Sequence, residues 1–149
     1  MKMSLQDWVD EGHLKEHTAS CDEIEKLLAV FERDMADAGI KSVSTDRRFA
    51  TAYNAALMMA RAALAASGYR TSGEANHLWT IQSLAFTLKP DNRFIEKFDK
   101  FRKKRNLSDY EMIGVVSEYE ANETLNMARE LHDMLIEWLQ QNHPELLAE

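Results

Sequence analysis

The chain has 149 residues, of which 45% are hydrophobic and 29% charged, and this composition excludes a disordered chain and suits one domain with a buried core. A formal net charge of −7 excludes nucleic-acid binding over the whole surface, because phosphate contacts need local positive potential. No apolar run approaches the ~20 residues that cross a bilayer, and the first residues lack a signal-peptide pattern, so we expect a cytoplasmic location. Only 5 Gly and 2 Pro are present, which favours helices over turn-rich sandwiches and barrels.

The first half of the chain predicts a short leader from Ser4 and two long helices. Apolar residues recur every three or four positions from Leu14 to Ala38, and Gly39 is a plausible end for that helix. A second helix is expected from the capping residues at 44–46 to Gly68. Its predicted inner face is rich in alanine and consists of Phe49, Tyr53, Ala56, Ala60 and Leu64.

The second half predicts three further helices and one break. Ser72 is expected to cap a helix that runs to about Leu88, and Asp91 to open another. The stretch 106–116 is expected to be irregular. Ser117 and Glu120 have the spacing of a capping box, so a last helix should follow as far as about residue 142. Residues 1–149 therefore predict a single all-α domain, an up-and-down helical bundle of four long helices plus short extra helices.

The helix expected after residue 91 carries the most informative charge pattern. At ~100° per residue, Arg105 falls on the side of the phenylalanines at 94, 98 and 101, whereas the lysines at 97, 100, 103 and 104 fall on the other. An arginine on an apolar face must extend to solvent, pair with a carboxylate or face a ligand or subunit cleft. Asp109, one turn later, is the obvious structural partner. The lysines are either a solvated face or the one place where this acidic chain offers phosphate a positive surface.

Three segments have a recognisable order and spacing. RNLSDY at 105–110 resembles a signature of Arg, a polar residue, a short spacer and His near the end of a late helix. AYNAALMMARAAL at 52–64, followed by SGYR at 67–70, is similar to an alanine-rich second helix and turn, and GEANH at 73–77 to a Gly-x-x-x-His helix opening. This combination, over about residues 45–112, resembles the HEPN (higher eukaryotes and prokaryotes nucleotide-binding) superfamily, of which we expect the chain to be one HEPN-like helical domain.

The resemblance implies a bundle that usually dimerises, with the Arg-Asn segments of two subunits facing each other. In family members that are metal-independent endoribonucleases, Arg steadies phosphate charge and His assists attack by the 2′-hydroxyl or protonates the leaving oxygen. Relatives are toxins paired with nucleotidyltransferase antitoxins, or noncatalytic nucleotide- or RNA-binding modules. The catalytic candidates implied here are Arg105 and Asn106. The basic residues expected to contact phosphate or RNA are Arg102, Lys103, Lys104 and Arg105.

The chain departs from the nuclease pattern at Tyr110, which stands where the signature has His. A phenol, with a reference pKa near ~10, transfers protons less readily at neutral pH than imidazole, although it can donate to phosphate or stack on a base. Tyr110 is therefore a candidate site residue in a site whose catalysis is expected to be degenerate. His77 is a weaker candidate, because a residue in the first turn of a helix often has only a local role.

Metal or cofactor chemistry is not expected. His13 and His17 stand four residues apart, but no companion ligand motif accompanies them. The single Cys21 excludes an intramolecular disulfide and a thiolate zinc cage from one chain.

The leading functional expectation is a HEPN-like RNA- or nucleotide-binding protein, and two alternatives stay open. One is a metal-independent endoribonuclease of toxin type, which would use Arg105, Asn106 and either His77 or Tyr110. The other is a noncatalytic helical partner subunit of a nucleotidyltransferase. A homodimer is expected, since the alanine-rich and methionine-rich faces, with Met58, Met59 and Met112, offer more apolar helix surface than one small bundle needs.

Overall fold

The computed structural model describes residues 3–73, 76–107 and 109–147, with Asp109 described only in its backbone. The described residues form seven α-helices, two short strands and two 3₁₀ turns. The α-helices are α1 (Leu5–Asp10), α2 (Cys21–Ala38), α3 (Thr45–Ala66), α4 (Asn76–Gln82), α5 (Asn92–Arg105), α6 (Asp109–Met112) and α7 (Glu118–Asn142). The strands are β1 (Leu14–Glu16) and β2 (Tyr69–Thr71), and the 3₁₀ turns are Ser83–Ala85 and Pro144–Leu146. The predicted all-α bundle with four long helices and short extra ones is confirmed.

Helix α3 is the centre of the bundle and packs against both α2 and α7. Nine of its residues are alanines, and the seven from position 52 to position 65 are buried. Small side chains let neighbouring helix backbones approach closely, so α3 can be enclosed on several sides. The larger buried side chains of this helix fill the spaces between the helices: Phe49, Tyr53, Leu57, Met59 and Leu64. The predicted alanine-rich inner helix is confirmed.

The buried Arg48 joins the three central helices at one end of the bundle. Its Nε donates to the carbonyl oxygen of Ala38 at 2.8 Å, and one terminal nitrogen donates to Asn122 Oδ1 at 3.1 Å. The end of α2 and the start of α7 are thereby tied to α3. A buried charge is tolerated here because its donors are satisfied.

The segment before α2 differs from the prediction of one helix from Leu14 to Ala38. Leu14 lies in β1, which pairs antiparallel with β2, and Leu14 stands opposite Thr71. Its side chain is buried in a small cluster with Trp8 and Leu64. The helix begins only after Ser20, whose hydroxyl accepts a hydrogen bond from the Glu23 amide. The spacing of three to four residues mispredicted a helix at Leu14–Glu16, because these residues pair with a strand that is distant in sequence.

The predicted helix start at Ser72 is also wrong. The Ser72 hydroxyl donates to the Gly12 carbonyl at 2.8 Å, so it closes the small sheet instead of capping α4. Helix α4 begins at Asn76 and passes into a 3₁₀ turn, and the chain then reverses at Lys89, which has a φ of 52°. This late start brings the first turn of α4 beside α3, where His77 is placed.

Helices α5 and α7 begin and end close to the predicted positions. Asp91 caps α5 by accepting from the Arg93 amide at 2.8 Å, and both bonds of the predicted capping box join Ser117 and Glu120. The buried face of α5 consists of Ile95, Phe98 and Phe101. In the region 106–116, predicted as irregular, the described residues include only the four-residue α6. Among the described residues, no helix is long and apolar enough to cross a membrane.

We expect Ser117→Ala to lower the free energy of unfolding by about 1 kcal/mol, because it removes the acceptor for the Glu120 amide. Ser44 provides the matched control, since its side chain makes no capping hydrogen bond at the start of α3. Ser44→Ala should therefore cost much less. Urea unfolding of both variants measures the difference, and equal losses would contradict this account of the two helix starts.

Candidate functional site

A pocket of about 420 Å³ lies where the end of α5 meets α3, α4 and α2. Its lining combines polar and charged side chains from all four helices. The lining residues are Asp34, Ala50, Thr51, Tyr53, Asn54, His77, Arg105 and Asn106. The pocket thus brings together three of the residues that the sequence predicted for the site, from segments nearly thirty residues apart in the chain.

Arg105 is the basic residue of α5 that faces this pocket. It lies one turn beyond the buried Phe101 and is exposed, so the apolar face of the helix ends before it. The side chain of Asp109, its predicted ionic partner, lies outside the described residues. Asn106, which follows Arg105, is the C-cap of α5. Its side chain is exposed and brings an amide to the same pocket.

The other predicted phosphate contacts are engaged elsewhere. Arg102 Nε donates to Asp99 Oδ1 at 2.7 Å, and Lys103 Nζ lies 3.6 Å from Asp99 Oδ2. Lys104 forms an ion pair with Glu120 and is half-buried, not part of a freely solvated face. Of these three, only Lys103 has an exposed side chain, and it lies in the last turn of α5.

His77 is held at the pocket by a hydrogen bond to a buried phenol. The Tyr53 hydroxyl lies 3.3 Å from His77 Nδ1, and the Tyr53 ring packs edge-on against Phe98. Burial raises the pKa of Tyr53 well above its usual value, so the phenol stays protonated. When His77 carries its proton on Nδ1, it donates to the Tyr53 oxygen and Nε2 presents a lone pair.

The electrostatics of the pocket keep His77 neutral. Desolvation, followed by the positive charges of Arg105 and Arg102, lowers the pKa of His77 below its ordinary value of 6.5. A neutral imidazole near neutral pH can accept a proton, which is the state that a general base requires. The same arginine charge that lowers this pKa would attract an anionic ligand.

The negative charge in the pocket is already compensated. Asp34 is nearly buried, and its two carboxylate oxygens accept hydrogen bonds from Arg33 at 3.1 Å and from the Asn54 amide at 2.8 Å. The bond orients the Asn54 side chain along the pocket wall. Sequence reasoning missed both residues and treated Tyr53 only as core. The signal available was a polar Asn54 within an otherwise alanine- and leucine-rich helix.

Tyr110 does not join these residues. It lies in α6, its side chain is 86% exposed, and it is not among the residues that line the pocket. It belongs instead to a run of exposed apolar side chains after α5. This exposed apolar run consists of Tyr110, Ile113, Val115 and Tyr119.

One member of the exposed apolar run, Ile113, lies beside Arg105. A neighbouring cavity of about 550 Å³ is lined by Arg105, Arg47, Met112 and Ile113, among others. The methionines cited in favour of a dimer do not form an exposed apolar face. Met59 and Met112 are buried within the chain, and Met58 is half-buried. The apolar surface near Arg105 is instead provided by the residues that follow it.

Within the described ranges, no group of three or more His, Cys, Asp or Glu side chains is arranged to hold a metal ion. His13 stacks on Trp79 with ring centroids 3.7 Å apart, and His17 Nε2 lies 2.7 Å from Glu23 Oε1. Comparisons with protein-family models, with curated proteins and with solved structures gave no significant match. The residues of the pocket themselves offer a cationic donor, amide donors and one neutral imidazole.

We expect Arg105→Ala to raise the pKa of His77 toward 6.5, because one of the positive charges that oppose its protonation is removed. Because the pKa of His77 is lower in the folded protein than in the unfolded chain, the unfolded chain binds more protons below pH 6.5. His77 therefore lowers the free energy of unfolding as the pH falls through that range, and the variant should lose less stability there. Titration of the His77 ring protons by NMR, assigned with His77→Gln, measures the shift. Arg93→Ala is the matched control, and an equal shift there would contradict a local effect.

Proposed function

We propose that the protein is a HEPN-like RNA- or nucleotide-binding protein whose pocket at the end of α5 binds phosphate. The observation that carries this proposal is that Arg105, Asn106 and His77 line one pocket. The guanidinium of Arg105 provides several donors in a planar fork that suits phosphate oxygens, and the Asn106 amide adds a neutral donor. Such a local cationic pocket meets the requirement that a chain of net charge −7 imposes on phosphate binding.

The compensated carboxylate of Asp34 supports the same proposal. An unpaired carboxylate in the pocket would repel phosphate, but Arg33 and Asn54 already bind both of its oxygens. His77, held neutral, neither repels nor strongly attracts the anion and can accept or donate one hydrogen bond. Arg105 is therefore the principal electrostatic contact, and Arg102 contributes to the potential from its ion pair with Asp99.

We expect Arg105→Ala to weaken binding of a single-stranded RNA by about tenfold or more while barely changing the melting temperature. Lys103→Ala should mainly reduce the salt dependence of binding, because Lys103 is an exposed cation in the last turn of α5. Fluorescence titration at several salt concentrations, with Arg93→Ala as the control, measures both effects. If Arg105→Ala instead lowers stability and leaves binding unchanged, Arg105 has only a structural role.

A second candidate function is a metal-independent endoribonuclease, and the observation that favours it is the position of His77. With its proton on Nδ1 bonded to Tyr53, Nε2 would take the proton of an RNA 2′-hydroxyl. The 2′-oxygen would bond to phosphorus as the bond to the 5′-oxygen breaks, and water would protonate the leaving oxygen. Arg105 would stabilise the charge on the phosphate oxygens.

Cleavage of RNA in the presence of EDTA tests this second candidate. We expect His77→Asn to reduce any such cleavage by ~10²-fold or more, because general acid–base catalysis is typically worth ~10²–10⁴-fold. Tyr110→Phe is the matched control and should cleave as wild type does, since Tyr110 lies outside the pocket. If RNA stays intact with the wild-type protein, the endoribonuclease hypothesis is contradicted, and the proposal of phosphate binding is unaffected.

A homodimer through the exposed apolar run is also part of this proposal. Tyr110 and Ile113 are 86% and 72% exposed, and large exposed apolar side chains that lie close together often mark a protein contact. The run adjoins the cavity that contains Arg105, so a twofold contact here would place the two phosphate pockets near each other.

We expect wild-type protein at micromolar concentration to have the mass of a dimer by light scattering, and Ile113→Asp with Tyr119→Asp to have that of a monomer. Both charges would be buried without partners in the contact, which costs several kcal/mol. Ile40 is an exposed apolar residue outside the run, so Ile40→Asp provides the control and should leave the dimer intact. A monomeric wild type would contradict the proposed assembly.

A further inference from the structure

A second pocket, of about 410 Å³, adjoins the pocket that contains Arg105. Asn54 and His77 line both, so the two pockets share one wall. Along α3, Asn54, Met58 and Arg61 follow one another at a spacing of three to four residues and form one stripe. This stripe leads from the first pocket into the second.

Two arginines stand in the second pocket, Arg61 on α3 and Arg70 on β2, and both are exposed. Within residues 3–73, 76–107 and 109–147, neither side chain makes a hydrogen bond or an ion pair. Arg33 and Arg102, by contrast, have carboxylate partners. The donors of Arg61 and Arg70 are thus available to an anion.

The register of the small sheet places a further cation beside Arg70, although this cation does not line the pocket. Lys15 on β1 stands directly opposite Arg70 on β2, and both side chains are exposed. Like charges opposite each other on neighbouring strands repel and destabilise the pair. An anion bound between them would relieve that repulsion, so the unfavourable pairing has a ready explanation in a ligand.

The remaining lining suits a nucleotide better than inorganic phosphate. Leu57, Met58 and Tyr69 provide an apolar wall against which a base can pack. On the polar side, Glu23 bonds to His17 through Oε1 at 2.7 Å. A carboxylate accepts from the N–H groups of a base edge but repels phosphate, so base and phosphate would have separate places in the pocket.

We propose that this second pocket binds the nucleotide next to the one whose phosphate Arg105 holds, so that the ligand is a single strand of RNA spanning both pockets. The inference rests on the proposed function. Arg61 and Arg70 bind the adjacent phosphate, the apolar wall receives its base, and His77 stands between the two nucleotides. The shared wall makes the path continuous, which one isolated nucleotide would not need.

Fluorescence anisotropy with a labelled oligoadenylate of about eight nucleotides tests the proposal. We expect Arg61→Ala with Arg70→Ala to weaken binding by about tenfold. Arg105→Ala should weaken it about equally, and the combined variant should show the product of the two losses, because the arginines contact different phosphates. Arg93 lines neither pocket, so Arg93→Ala should change binding less than about twofold. The isolated Arg70→Ala protein should melt no lower than wild type, since it loses a repulsion and not a partner.

The outcomes separate this inference from the function on which it rests. If the Arg61 and Arg70 variant binds the strand as Arg93→Ala does while Arg105→Ala still weakens it, the second pocket is not a nucleotide site and the proposed function stands. If Arg105→Ala leaves binding unchanged, the proposed function fails. Adenosine monophosphate that binds as tightly as the oligonucleotide would overturn the inference, because one nucleotide would then satisfy the protein. Arg61→Gln and Arg70→Gln, which remove the charge but keep a polar side chain, replace the alanine variants should these fail to fold, with the same loss of binding expected.

Discussion

The close packing of α3 is the constraint on which the rest of the structure depends. Alanines along this helix bring α2 and α7 near its backbone, and the few large side chains between them fill the gaps. Because α3 is enclosed over most of its surface, each residue that it does expose has a defined neighbour. This packing positions Tyr53 in the first pocket, Arg61 in the second, and Asn54 in the wall that the two pockets share.

Ion pairs within α5 and between α5 and α7 occupy most of the basic residues near the end of α5. Arg102, Lys103 and Lys104 lie near Asp99 or Glu120, and these contacts use carboxylates both within the helix and on α7. Exposed pairs contribute little stability, but they do reduce the charge that each cation offers to a ligand. Arg105, at the last position of the helix, stands at a pocket instead. A local positive site can therefore exist on an acidic protein without a general basic face.

The hydrogen bond between Tyr53 and His77 links the core to the pocket chemistry. The phenol is buried against Phe98, so the histidine that contacts it is anchored by a rigid group. Desolvation and the nearby arginines then favour the neutral imidazole. This arrangement suits either a hydrogen-bonding residue in a binding site or a base in a catalytic one, because both need the same protonation state.

Local signals in the sequence were sufficient for the helix ends and the fold class. The caps at Asp91 and Ser117 act within three residues, and the alanine content of α3 is itself the reason that it can be central. Periodicity also singled out Arg105 as the basic residue on the same side of α5 as the phenylalanines, although the side chain is exposed. It failed at Leu14, whose strand partner Thr71 is far along the chain, and at Lys104, whose carboxylate lies on another helix. Only the tertiary structure decided that His77, rather than Tyr110, shares a pocket with Arg105, because a helical period defines which face a residue occupies but not which distant residue faces it.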